Sequence, residues 1–591
     1  MKVTGAQLMA RTLREAGIDV VSGIPGHTVV SLAQAVGQQD GLRPFLVRHE
    51  GIATFAADVY YRISGRLMAA FTHTFPGTTN ALSGVANAYA DSSAMLLITG
   101  ETAGAALGRG AYQELSRQFD GDNPQLVRHA VKRLWQPRSA LDLVDKTMLA
   151  VRTATTGRPG PVALSVFQEI WDEEVDIPGW PSAEGYLFDT AARPRADAVE
   201  QLHRALSGAQ RPVIVAGNGV NLARARAELL AVAERYQVPV VTTVTGKGAF
   251  PDEHRLSLGV VGWVGTSAAN YATREADLVV ALGARLTETT SSSWQPGITF
   301  DFDRSSLFQV DADPDAIANF YPVDGAVVGD ARLTLLDLMD AAEDGRPLQD
   351  RTAWLQRLQR EREEWAAVVA QSRVPGTRGQ IGVGAVVQSM RQALTGPVNL
   401  VCDVGKHHKW VVQQFDARED DYVINSVAAG TMGIGPAGAV GAALARPSAR
   451  TIAWTGDGGM SMSLPVWPTV AEHRLPITYV VADDQAYGAV ANIQQEQFGE
   501  TVFSEFHGGG TNPGYSLDLA AVAQACGIPS RRVEDPAELD DAFAWAGEQE
   551  GPNVLDIMID RSSVVPSGGG RYLHALWENR PMPWAREQPV E

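Results

Sequence analysis

Two aspartates stand out by spacing. Asp457 lies in Thr455-Gly456-Asp457-Gly458-Gly459, directly after an apolar run. Asp484 comes 27 residues later, after a second run, in Ala482-Asp483-Asp484-Gln485-Ala486-Tyr487-Gly488. A helix between two parallel strands puts both carboxylates at the same sheet edge. Two hard oxygen donors plus a backbone carbonyl suit Mg²⁺ bridging a diphosphate. Gly458 and Gly459 let backbone N–H groups approach phosphate at a helix start. Alone, Asp in a Gly turn is common; spacing and flanking strands make it a signature. Glu50, in Arg48-His49-Glu50, stands where another run meets an apolar helix. Poor solvation there favours the protonated acid. His27, after Gly23-Ile24-Pro25-Gly26, and His73, in Thr72-His73-Thr74, also follow apolar runs. Either can carry protons, and either is as compatible with a loop hydrogen bond. Val404-Gly405-Lys406-His407 and the Gly-rich stretch Asn425–Gly435, with Met432 in it, complete the set.

These residues need strands to hold them. Near the N-terminus the predicted strands are Asp19–Ser22, Pro44–Val47, Leu67–Thr72 and Ala94–Thr99, with helical periodicity over Ile52–Ile63 and Ala81–Ala90. Pro161–Val166 closes this unit, and the acidic, Pro-rich stretch Asp172–Pro194 reads as a linker. A second unit opens with Pro212–Ala216 and continues through Val238–Thr243, Asp277–Leu282 and Leu307–Val310. A charged helix over Leu348–Ala370 and the loop Pro375–Gly379 form the second linker. The third unit contains Val398–Cys402, Thr451–Trp454, Ile477–Ala482 and Val554–Ile559. Strands apolar on both faces and joined by helices predict parallel sheets covered on both sides. The fold class is therefore α/β, with three doubly wound domains. In such sheets ligands sit outside the carboxyl ends of the strands, where the singled-out residues lie.

The GDG followed by Asp483-Asp484 resembles the thiamine diphosphate signature, in which an Asn pair stands at the second position. The family is the thiamine diphosphate enzymes of the acetolactate synthase, pyruvate oxidase and decarboxylase type, and the resemblance covers nearly the whole chain. It implies a pyrimidine-binding domain over residues 1–172, a Rossmann-like middle domain over 195–345, a diphosphate- and metal-binding domain over 376–565, and a C-terminal tail over 566–591. It implies Asp457, Asp484 and the Ala486 carbonyl as Mg²⁺ ligands. Cofactor contacts would come from Val404, Gly405, Lys406, His407, Gly430, Met432, Gly456, Gly458, Gly459, Tyr487 and Gly488. Glu50 matches the activating glutamate, which donates to N1′ of the aminopyrimidine and promotes its imino form. Gly430 and Met432 match the Gly-x-Met-Gly that supports the folded cofactor. Lys406 replaces the usual Gln, adding a positive charge where a phosphate would sit.

The predicted pocket departs from the common pattern. Phe75 stands where Gly is usual, narrowing or closing the pocket. Gln113 matches a glutamine near the thiazolium. With His27 and His73 it resembles cyclohexane-1,2-dione hydrolase, and benzaldehyde lyase also carries a histidine in the first of these loops. Middle-domain segments Gly262–Asn270, Leu282–Leu286 and Val310–Asp313 resemble the lining of a flavin cleft, implying FAD. Thr287–Ser291 replaces the usual residues there, which leaves an empty or remodelled cleft as the alternative.

Composition bounds the rest. The 591 residues hold 49 Lys plus Arg against 68 Asp plus Glu, a net charge of −19. So acidic a surface argues against nucleic acid or an anionic membrane as main partner. Two cysteines make no disulfide framework. The N-terminal stretch reads as an amphipathic helix and no window is long and apolar enough to span a bilayer, so a cytoplasmic protein is expected. The combined expectation is an enzyme that decarboxylates a small 2-oxo acid and transfers the acyl-anion equivalent to a small carbonyl electrophile, as a homodimer or homotetramer. The alternatives are a lyase or hydrolase cleaving a 1,2-diketone or acyloin, and a non-catalytic cofactor-binding subunit. The last would need a broken Glu50 or metal motif, and neither is broken.

Overall fold

A computed structural model describes residues 1–114, 122–345, 348–506 and 515–570. Three six-stranded sheets follow one another along the chain, each parallel throughout. In the first, the strands in chain order are Val20–Gly23, Arg43–Leu46, Ala69–His73, Leu96–Glu101, Arg133–Trp135 and Val162–Phe167; their spatial order is 2-1-3-4-6-5. The third sheet repeats that order with Val398–Cys402, Tyr422–Ile424, Arg450–Gly456, Ile477–Asp483, Ser530–Val533 and Asn553–Met558. The middle sheet differs. Pro212–Ala216, Val240–Thr242, Ser257–Val260, Leu278–Leu282, Ser306–Asp311 and Gly325–Val328 take the order 3-2-1-4-5-6, the dinucleotide-fold arrangement.

The first and third domains share a core. Helix Glu50–Ser64, closed by Gly65 in the left-handed region, packs on helix Ile434–Ala445. The second helix is built of small residues, Ile-Gly-Pro-Ala-Gly-Ala-Val-Gly-Ala-Ala-Leu-Ala, so its backbone comes close. A Cβ on Gly441 would stand 1.9 Å from the Ala56 carbonyl oxygen. Arg48 pairs with Glu472 at 2.7 Å and Phe45 stacks on His473 at 4.0 Å, tying the same two domains at their rim. Among the described residues no helix is long and apolar enough to cross a membrane.

Four expectations change. Helix Ala81–Ala90 begins at Thr74, because Pro76 falls in the first turn, where its missing N–H has no intrahelical acceptor to lose. The stretch Asp172–Pro194 is not only linker: Glu174–Asp176 pairs antiparallel with Lys2–Thr4. The charged helix runs Thr352–Ser372 and seats Trp354 and Leu358 in the middle-domain core, so it belongs to that domain. Pro375–Gly379 lies in a short antiparallel hairpin, Gly376–Thr377 with Gln380–Ile381. The expected tail from residue 571 on lies outside the described residues.

Candidate active site

The carboxyl rim of the third sheet is organised by Asp403, one residue past its first strand. The buried Asp403 carboxylate accepts from Val404 N (3.0 Å), Gly433 N (2.9 Å) and Thr455 Oγ1 (3.0 Å). It therefore joins the Val404–His407 turn, the Met432 loop and the approach to Asp457. Burial raises its pKa to about 6 against those donors. A Cβ on Gly459 would fall 2.1 Å from Asp403 Oδ2; on Gly458 it would meet the Tyr487 ring at 2.9 Å and the Met432 methyl at 3.4 Å. The glycines are there because no side chain fits. His407 lies against Gly456, 3.1 Å from a Cβ placed there. Its Nε2 is buried with no hydrogen-bond partner among the described residues. Burial, then His408, holds its pKa down at about 3, so the ring is neutral.

The metal signature is a crowd of carboxyls. Asp457 begins the helix Asp457–Met462, and Asp483 ends the neighbouring strand. The Asp483 carboxyl stands between those of Asp457 and Asp556 and interacts with both. Burial, then the charges of Asp483 and Asp484, pushes Asp457 up to about 9. Burial, then Asp483, pushes Asp556 up to about 8, although Arg532 stands 3.3 Å away. Here desolvation outweighs the ion pair. Asp484 lies close enough to act on Asp457 and also borders Gly488, its Oδ2 2.1 Å from a Cβ placed there at the start of helix Gly488–Phe498. Its carboxyl rises only to about 6, since Lys406 and Arg561 oppose burial.

Lys406 is buried beside Asp484. It donates to the Arg561 carbonyl and, with the Asn492 amide turned to face it, to Asn492 Oδ1 at 3.1 Å. Among the described residues no three His, Cys, Asp or Glu side chains enclose a metal ion by themselves. The donor set nonetheless suits a hard divalent cation completed by a carbonyl and a diphosphate: its carboxyl oxygens are crowded and buried.

The rim of the first sheet carries Glu50, His27, His73 and Gln113. Glu50 is 8% exposed, the first residue of its helix, and accepts from Asn80 Nδ2 at 2.9 Å. His73 Nδ1 meets Thr28 Oγ1 at 2.7 Å, and its Nε2 meets Gln113 Oε1 at 2.5 Å. The exposed His27 lies edge-on to His73, with ring centroids 4.5 Å apart. Burial, then His73, lowers its pKa. Phe75 is half-buried in the first turn of the following helix. Among the described residues, no hydrogen bond or ion pair joins these four side chains to the third-sheet rim.

Sequence reasoning missed Asp403, Asn80, Thr28 and Asp556. The strand-end rule could have found Asp403, which directly follows Cys402. Asp556 gave no signal, being one charge inside an apolar run.

A cavity of about 710 Å³ opens at the middle sheet where the strand order reverses, between Pro212–Ala216 and Leu278–Leu282, and is walled also by Asp91 and Arg158 of the first domain and Val427 and Ala428 of the third. Gly217, Gly219, Gly283, Arg285 and Asp311 line it, as do Thr287–Thr290. Gly262–Asn270 does not line it. Asn270 spends its amide on Gly262 and on the Gly568 carbonyl, and so holds the C-terminal stretch instead.

Residues 3–120 match the family described as thiamine pyrophosphate enzyme, N-terminal TPP binding domain; 199–338 match its central domain and 403–557 its C-terminal TPP binding domain. A probable acetolactate synthase large subunit of Methanocaldococcus jannaschii is 31% identical over 96% of this chain and 94% of its own length. The acetolactate synthase isozyme 3 large subunit of Escherichia coli K12 is 28% identical over 97% and 98%. A putative thiamine pyrophosphate-containing protein of Bacillus subtilis is 28% identical over 95% and 93%. The order of domains, the two equipped rims and this chain-long similarity together make the protein a member of the thiamine diphosphate enzymes, in the group of the acetolactate synthase large subunits.

Proposed function

We propose that the enzyme decarboxylates a small 2-oxo acid of the pyruvate type and transfers the acyl-anion equivalent to a second carbonyl compound. The observation that carries this is the intact pair of rims, Glu50 on one sheet and Asp457 with Asp484 on the other, in a chain similar throughout to acetolactate synthase large subunits. Bound thiamine diphosphate supplies a nucleophilic carbon and an electron sink.

The chain's residues do the rest. Asp457, Asp484 and the Ala486 carbonyl would hold Mg²⁺. His407 Nε2 and the backbone at Val404–Lys406 and Gly456–Gly459 take the diphosphate. Met432 and Gly430 would support the cofactor, with Tyr487 and Gly488 beside it. Glu50 holds a proton at the pyrimidine N1′. His27, His73 and Gln113 face the carbonyl substrate, where proton transfer is needed. Lys406, turned to Asp484, balances the extra carboxylate. The middle-domain cavity is assigned to FAD, supported by its glycine-lined position at the strand-order reversal. The domains are proposed at 1–176, 195–372 and 376–565, the first extended by Glu174–Asp176 and the middle one by helix Thr352–Ser372.

The two rims serve one site only if each comes from a different subunit, so the active form is a homodimer or homotetramer. Exposed Phe498, Phe503 and Met462 beside the diphosphate rim, and Tyr112 beside His27, support that arrangement. Incubation with Mg²⁺, thiamine diphosphate and a panel of 2-oxo acids tests the reading. CO₂ release with a carboligated product is expected. Turnover of 1,2-diketones or acyloins without CO₂ release would replace it with the lyase or hydrolase.

A further inference from the structure

His73 differs from His27 in having both ring nitrogens engaged. An amide oxygen only accepts, so Gln113 Oε1 at 2.5 Å requires a proton on His73 Nε2. In a neutral ring Nδ1 is then the acceptor, and Thr28 Oγ1 at 2.7 Å is its donor. Thr28 is fully buried in the turn His27–Val29, and its hydroxyl makes no other hydrogen bond among the described residues. It is also held in place: a Cβ on Gly100 of the adjacent strand would stand 2.5 Å from Thr28 Oγ1. His27, by contrast, is exposed, with neither ring nitrogen bonded among the described residues.

We propose that Thr28 is a positioning residue: with Gln113 it locks His73 as the neutral Nε2–H tautomer, so that His73 orients the rim and His27 is the ring that exchanges protons with substrate. The division of labour rests on the assignment of this rim to the carbonyl substrate; the tautomer itself does not. Thr28 acts on the reaction only through His73, as second partners of functional histidines commonly do.

The test is the imidazole nitrogen spectrum of the ¹⁵N-histidine-labelled holoenzyme, with His73 assigned by the signals lost in His73→Gln. The wild type is expected to show a protonated Nε2 and an unprotonated Nδ1 at neutral pH. Thr28→Val should mix the tautomers and lower turnover roughly ten-fold or more, with the thiamine diphosphate dissociation constant unchanged. Thr28→Ser should restore both signature and turnover. A protonated Nδ1 on His73 in the wild type, alone or in an imidazolium, would overturn the proposal, and this needs no variant to fold. So would a Thr28→Val enzyme with wild-type signature and turnover. Because the tautomer is read without turnover, an error in the reaction class would appear in the substrate panel and leave this measurement standing.

Discussion

The first and third sheets share one strand order and offer the same edge to a ligand, yet they end in opposite chemistry. Past their first strands stand His27 and Asp403; past their third, His73 at the strand end and Asp457. Their fourth strands end in Glu101 and Asp483, and their second strands lead to Glu50 and to the Met432 loop. One rim is set with rings, an amide and two separate carboxyls, Glu50 held by Asn80 and Glu101 held by Ser165, Asn123 and Thr99. The other packs carboxyls so closely that burial raises every one of them, and neighbouring carboxylates add to the rise at Asp457, Asp484 and Asp556. Topology decides where a functional residue can stand, and the residue type at each strand end decides what it does. The carboxyl rim calls for a cation; the ring rim can stay neutral and move protons.

The largest break comes at Glu50, the one carboxyl of the neutral rim placed for chemistry. Glu50→Gln keeps the Asn80 contact but cannot share a proton. Turnover should fall by about 10²–10⁴ with cofactor affinity retained, read from steady-state kinetics beside a binding titration. Near wild-type turnover would remove Glu50 from the mechanism.

Glu101 sharpens the comparison because it is the first sheet's counterpart of Asp483. Burial raises it from 4.5 to about 7, although Ser165, Asn123 and Thr99 donate to it. The folded chain keeps this proton where the unfolded chain has lost it. Stability therefore declines as pH rises from the unfolded value through the folded one, and the cost is complete above about 7. Glu101→Gln should flatten that part of the pH–stability curve and recover roughly 3 kcal/mol at most at alkaline pH. Unfolding midpoints across that range decide it; parallel curves for the two proteins would count against a buried proton.

How much of this was legible beforehand follows from what a strand end looks like in sequence. Apolar runs between helical periods are long-range-insensitive signals, so the three sheets and the placing of Glu50, His73, Asp457 and Asp484 at their rims were readable. Pairings that depend on distant partners were not. Lys2–Thr4 and Glu174–Asp176 are three residues each and carry no period of their own. The periodicity over Ala81–Ala90 did not reach back to Thr74, because Pro76 and Gly77 interrupt it, whereas here they occupy the first turn. Asp556 was hidden because its acidity is absorbed by Asp483 and Arg532, which arrive from two other strands.

The helix pair that joins the two domains gives a smaller effect. Gly441→Ala places a methyl where the Ala56 carbonyl stands. The helices must part, at a cost of about 1–3 kcal/mol. Denaturant unfolding should show it, with thiamine diphosphate affinity following only as far as the rims separate. A Gly441→Ala protein as stable as wild type would mean that the contact relaxes freely.

The smallest effect tests whether the carboxyl rim balances itself. Asp484 stands where the family has Asn, and Lys406 stands where it has Gln, and the two side chains are electrostatic neighbours. In the proposed site Asp484 would attract Mg²⁺ but repel the diphosphate, and Lys406 would offset part of that repulsion while keeping its hydrogen bond to the Arg561 carbonyl. Asp484→Asn should be tolerated, with weaker Mg²⁺ dependence. Lys406→Gln alone should weaken cofactor binding, because it leaves the extra carboxylate uncompensated. The double variant should bind better than Lys406→Gln, with a coupling of about 0.5–3 kcal/mol in cofactor affinity, as expected for charges in one network. Additivity within error would show that the two substitutions are independent, and the crowding of carboxyls on this rim would then be relieved by the metal alone.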